Sequence, residues 1–244
     1  MNSRIVVSIP IELNNRWAIA AALENKYGTD YVFIGQIFQS TITQDSCQIE
    51  IADRDSELTN TFELAGQDKI SATTLQQLDR HQQIIYLTST DTGYDVCCQM
   101  ARFIQILLNI GGIAAKVESA GIIYDKTKWQ ANHDSEDVFD IYSLFVNLIE
   151  GDDCYYSCGM HNFGKADVAI ALTEDINLAI YVMNVFNYYR LTESPILQDE
   201  HTFKPDIESP TYRLKWIEDR EYESDSLMHN PHGKWHLSRV RSQL

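Results

Sequence analysis

The chain predicts an α+β fold, with an antiparallel or mixed sheet and helices packed mainly on one face. Three observations carry this. The spacing of apolar residues switches between period 2 and period 3.6 along the 244 residues. The first half reads strand, helix, strand, strand, helix, strand, and the second reads as a β-meander plus a helix. No Pro- or Gly-rich linker separates the halves, so one domain over residues 1–244 is expected. Halves 1–125 and 126–244 are a division that allows two similar units, although no repeat period supports an echo.

"RIVVSIPI" opens the chain as a strand. In "NNRWAIAAALENKYG", Ile19, Leu23 and Tyr27 fall four apart, Asn14 or Asn15 can cap the start and Gly28 can close the end, which defines an amphipathic helix. "YVFIGQIF" reads as one strand with Gly35 as a bulge or close backbone approach, and "CQIEIAD" as the next strand. "SATTLQQLDRH" is a short helix opened by Ser71, followed by the buried strand "QQIIYLTST". Between residues 92 and 110, Val96, Met100, Phe103, Ile104, Leu107 and Leu108 make one apolar helical face that Gly111-Gly112 stops. "IAAKVESAGIIY" is a strand or bent strand pair.

"KWQANHDSEDV" reads as a polar loop, and "DIYSLFVNLIE", "CYYSCGM" and "ADVAIAL" as three strands. Glu150 to Asp153 and His161 to Gly164 have turn compositions. A helix opened by Thr173, Glu174 and Asp175 runs to about residue 189, with apolar residues on two faces, and "TYRLKWIE" and "KWHLSRV" end the chain as strands.

Composition narrows the function classes. Nineteen Lys plus Arg against 35 Asp plus Glu give a net charge of −16, a field that repels phosphate backbones and anionic membranes and attracts basic partners. The start shows no basic segment leading into an apolar core, and no stretch reaches a membrane span. Five cysteines form an odd set, which fits reduced thiols. The expectation is a cytoplasmic protein that engages neither nucleic acid nor membrane and needs no cofactor. Its oligomeric state stays open.

No motif names a reaction. Cys154, Cys158 and His161 offer one close pair where a zinc site needs two, and strand spacing sets the cysteines roughly 13 Å apart on one face. They are expected to pack. His229, His232 and His236 surround Pro231 and Gly233, which forbid a helical ligand array. Cys97 and Cys98 lie in the longest apolar helix, where a buried thiol is inert. His81 and His161 are the histidines best placed for polar work. There is no phosphate loop, dinucleotide fingerprint or nucleophile elbow.

The acids are distributed unevenly. From residue 131 to 164 the chain carries Asp134, Glu136, Asp137, Asp140, Glu150, Asp152 and Asp153 with no Lys or Arg. They are either a solvated face or a negative surface that steers a basic partner. Asp134, Glu136, Asp137, Asp140, Asp152 and Asp153 are the candidate partner-binding residues; the candidate catalytic and metal sets are empty.

"YYSCGMHNFGKADVAIAL" resembles the bacterial family named domain of unknown function 4261 at Gly159, Met160, Phe163, Gly164 and Asp167. The order of segments, from "VVSIPIELNNRW" through "RHQQIIYLTST" to the Gly-Gly after the long helix, is similar too. The resemblance implies a bacterial origin and supplies no catalytic set. The functional expectation is a non-catalytic protein-binding domain, an immunity protein that neutralises a basic toxin or effector such as a nuclease. The alternative is a hydrolase with a His/Asp site in a cleft between the halves.

Overall fold

A computed structural model of the chain describes residues 3–66 and 69–240, so both ends of the expected 1–244 domain lie outside the described residues. The fold is α+β, with two sheets. The first is built from β1 (Ile5–Ile11), β2 (Tyr31–Ile34), β3 (Ile37–Ser40), β4 (Ser46–Asp53), β5 (Gln83–Ser89), β6 (Ala114–Val117) and β7 (Ile122–Asp125). Their order is β2-β3-β4-β5-β1-β6-β7, antiparallel throughout. β1 is the spine: it pairs along its whole length with β5, from Ile5 opposite Ser89 to Ile11 opposite Gln83, and all seven residues are buried. A strand covered on both faces needs no polar alternation, which explains the unbroken run "IVVSIPI".

The two faces receive different helices. Ile5, Val7, Ile9 and Ile11 pack under α1 (Arg16–Tyr27) and α4 (Tyr94–Asn109), while Ile84, Ala114 and Ile123 face α2 (Leu58–Gly66) and α3 (Ala72–Leu78). Asn15 caps α1 by accepting the Ala18 N–H, and Ser71 caps α3 by accepting that of Thr74. Gly35 departs from the sequence expectation. It is not a bulge in one strand but the first residue of a two-residue turn, with φ +60° and Ile34 paired to Ile37, so "YVFIGQIF" is the β2–β3 hairpin.

The second half departs further. "KWQANHDSEDV" is not all loop: its first five residues belong to α5 (Lys126–Asn132), whose start is capped by Asp125 and whose Trp129 is fully buried against Phe145 at 5.8 Å between rings. "DIYSLFVNLIE" is not one strand: α6 (Val138–Phe145) precedes β8 (Asn147–Glu150). Asp137 accepts the Phe139 N–H and starts α6, and Ile141, Tyr142, Leu144 and Phe145 form its buried stripe. Those positions also fit a short apolar strand, and the helical cap decides between the two periods.

β8 pairs with β9 (Cys154–Cys158), which leads through a 3-10 turn at Met160–Phe163 into β10 (Asp167–Ala171). After α7 (Ile176–Thr192) come β11 (Thr202–Phe203), β12 (Tyr212–Ile217) and β13 (Lys234–Arg239). The order is β11-β12-β13-β10-β9-β8, with β10 and β13 parallel and the other pairs antiparallel. A parallel pair requires a crossover, and α7 with β11 and β12 supplies it. Ala179, Val182, Met183 and Phe186 of α7 bury against Val168, Ile170, Tyr212, Leu214 and Leu237. Each large side chain fully buried there contributes about 1.5–3 kcal/mol.

The helices thus lie mainly on one face of each sheet, with α2 and α3 the exception. The core of the first sheet takes in Ile141, Leu144 and Phe145 of α6 together with Met160 and Phe163, so apolar packing runs across the 125/126 boundary.

Candidate functional site

The acidic segment occupies the α5–α6 connection and the β8–β9 turn. Asp140 accepts from Asn132 Nδ2 at 2.9 Å and from Ser135 Oγ at 2.7 Å, and the Ser135 hydroxyl in turn accepts the Asp137 N–H at 3.1 Å. Asp137 and Asp140 therefore shape this connection as well as charging it. Asp134, Glu136, Asp137, Asp152 and Asp153 are exposed, and Asp140 is half-buried.

These six residues fall into two groups with different neighbours. Asp137 lies close enough to α4 to act on Tyr94, whose hydroxyl is pushed up to about 12, first by burial and then by Cys98 and the charges of Asp137 and Asp95. Asp153 acts together with Glu221 on the Cys154 thiol, which is raised chiefly by burial. Asp95 thus joins the first group and Glu221 the second. Sequence reasoning missed both, since each is separated from its group by tens of residues.

A buried polar junction lies at the other end of β9. Asp167, 1% exposed, accepts from Ser157 Oγ at 2.8 Å, the Met160 N–H at 3.2 Å and Asn230 Nδ2 at 2.6 Å. Burial raises its carboxyl to about 6 against the pull of those three donors and of Arg190. Arg190 is buried too: it donates to Ala166 O at 2.7 Å and to Asn187, lies 4.7 Å over the Phe186 ring, and is lowered to about 10 by burial. Lys234 Nζ pairs with Asp219 Oδ1 at 2.9 Å and sits 4.3 Å over Tyr156. Asp219 also accepts the Asn230 N–H at 2.8 Å. These bonds tie residues 219–234 to the β9–β10 connection.

That connection explains the glycine-rich stretch. Gly159 has φ +123°, and a Cβ there would stand 2.2 Å from the Phe145 carbonyl oxygen. Gly164 is left-handed at φ +68°. Phe163 lies buried between them, edge-on to Phe145 at 6.3 Å. Cys154 and Cys158 share one apolar cluster with Tyr156 and Ala169, in the packing role read from strand spacing.

His81 serves the framework. His81 Nδ1 is 2.6 Å from the Leu78 carbonyl and its Nε2 accepts the Asp55 N–H at 3.2 Å, so the ring is the Nδ1–H tautomer and joins α3 to the loop after β4. His161 is buried, and desolvation lowers it to about 4. His229 stands 3.6 Å from Asp219, and His236 lies within β13. Among the described residues no three His, Cys, Asp or Glu side chains converge as metal ligands. No helix there is long and apolar enough to cross a membrane.

A groove of about 500 Å³ separates the halves, walled by α2 on one side and by β8 and α7 on the other, with Lys69 and Glu150 as its charged lining. His81 and His161 lie outside it.

Comparison of the chain with protein-family models, with curated proteins and with solved structures finds no match.

Proposed function

We propose that this chain is a non-catalytic protein-binding domain, an immunity protein of the bacterial cytoplasm that neutralises a basic toxin or effector through its acidic surface. The observation that carries the reading is the exposure of Asp134, Glu136, Asp137, Asp152 and Asp153 on a chain of net charge −16. An exposed acidic surface speeds encounter with a cationic partner and penalises acidic competitors. A nuclease is the target class that fits best, because its phosphate-binding cleft must be cationic and an acidic blocker gains both attraction and occlusion. The Gly151 N–H donates to the Cys154 carbonyl at 2.9 Å and closes the turn that carries Asp152 and Asp153, which lowers the entropic cost of docking.

The test is growth rescue in bacteria co-expressing the chain with the toxic product of its adjoining gene. Wild type restores growth, whereas the variant with Asp134, Glu136, Asp152 and Asp153 all changed to Lys folds but fails to protect. Asp137 is spared because it caps α6. Equal protection by the variant would refute the acidic-surface mechanism.

A further inference from the structure

β8 is the last strand of the second sheet, hydrogen-bonded to β9 on one side only. The register tells which backbone groups remain free. Gly151 N donates to Cys154 O at 2.9 Å, so Gly151 and Cys154 form a hydrogen-bonded pair. Antiparallel pairs alternate, so Ile149–Tyr156 and Asn147–Cys158 are bonded as well, whereas Leu148 and Glu150 turn their N–H and C=O groups away from β9. No backbone hydrogen bond from the other described residues reaches Leu148 or Glu150. All four β8 residues line the groove between the halves.

The walls of that groove carry exposed apolar side chains beside Lys69, Asn147 and Glu150. Leu64 of α2 is 81% exposed, and Ile176 and Ile180 of α7 are 45% and 38% exposed. A row of unpaired main-chain groups beside an open apolar channel invites either aggregation or strand addition. Glu150, Asp152 and Asp153 are exposed at one end of the edge. Lys69 Nζ donates to Asn147 Oδ1 at the opposite end of β8, so the groove specifies extended backbone and alternate apolar side chains along its length and positive charge at the Glu150 end.

We propose that β8 is a docking edge to which the partner adds an extended apolar and basic segment as a seventh strand of the second sheet. Leu148 and Glu150 exchange main-chain hydrogen bonds with that segment, its apolar residues contact Ile176 and Ile180, and its basic residues meet Glu150, Asp152 and Asp153. This deepens the acidic-surface reading and rests on it.

The experiment is amide hydrogen exchange of the full chain, with and without a synthetic ten-residue peptide alternating valine and lysine. The Leu148 and Glu150 amides exchange fast in the free protein and slow by tenfold or more with peptide. Glu150→Pro removes an outward N–H without touching the β9 ladder, and weakens binding at least tenfold while the Ile149 amide stays protected. Glu150→Gln, which keeps the N–H, loses no more than about threefold. Ile180→Glu, a surface change on α7, weakens binding independently should Glu150→Pro fail to fold.

Absence of peptide binding would overturn the inference. So would binding that leaves both amides unprotected or is indifferent to Glu150→Pro; the growth-rescue assay then judges the acidic-surface reading separately. Equal affinity for a peptide alternating valine and glutamate would overturn the basic character assigned to the occupant. Concentration-dependent protection of the same amides without peptide would assign the edge to a second copy of the chain and overturn the proposal.

Discussion

Asn230 Nδ2 donates to Asp167 Oδ2 at 2.6 Å across 63 positions of sequence, inside the protein. This bond fastens residues 219–234 to the start of β10.

Replacing Asp167 by Ala leaves the Ser157 hydroxyl, the Met160 N–H and the Asn230 amide without their buried acceptor. Unmet buried donors cost about 1–3 kcal/mol each and do not add fully, so a loss on the order of 4 kcal/mol is expected. Urea denaturation measures it. A loss below about 1 kcal/mol, the size of one ordinary hydrogen bond, would show that the junction does not hold the fold.

Two buried groups oppose each other in acid. The Asp167 carboxyl is raised to about 6, so the folded state holds a proton that the unfolded chain releases, and stability falls as pH rises from about 4 to 6. His161 is lowered to about 4, so stability falls as pH drops from about 6.5 to 4. Each contribution is on the order of 3 kcal/mol, and they nearly cancel over the shared window. His161→Gln should therefore gain stability relative to wild type as pH drops from 6 to 4, and Asp167→Asn should lose it. Thermal melts across that range read the difference; parallel curves for all three proteins would contradict it.

The two turn glycines differ in tolerance. Gly159→Ala meets both a forbidden φ and the Phe145 carbonyl at 2.2 Å, so roughly 3 kcal/mol or more is expected. At Gly164 the nearest atom to a new Cβ is Thr92 Oγ1 at 3.4 Å, and only the left-handed backbone is penalised, at about 1 kcal/mol. Equal losses would mean that the Phe145 contact relaxes freely.

All five thiols are free, and burial raises each of them, with Cys47 pushed up to about 12 and Cys97 and Cys158 well above their ordinary value. At pH 8 the native protein should react slowly with a disulfide reagent, Cys98 and Cys154 first because they are half-buried. A fast-reacting Cys97 or Cys158 would contradict their packing role.

Strands and helices with a single unambiguous period were legible in the sequence: β1, β5, α1, α4 and the β9–β10 pair. α6 was not, because Ile141, Leu144 and Phe145 fit a buried strand as well as a helix until the Asp137 cap is seen. α2 has no counterpart among the sequence expectations. The exposed acids of residues 134–153 could be read from composition, but their grouping with Asp95 and Glu221 depends on long-range packing. Asp167 entered the sequence reading only as a position of the family resemblance, with no sign that it is buried. Its burial depends in part on Asn230 and Arg190, which lie 63 and 23 residues away in sequence.

The association rate of the chain with the proposed basic partner, measured against salt, tests the central claim most directly. Wild type should associate at least tenfold faster at about 20 mM than at about 500 mM salt, and the four-Lys variant should lose that advantage and converge on wild type at high salt. Equal, salt-independent rates for the two proteins would contradict an acidic surface that recruits a basic partner.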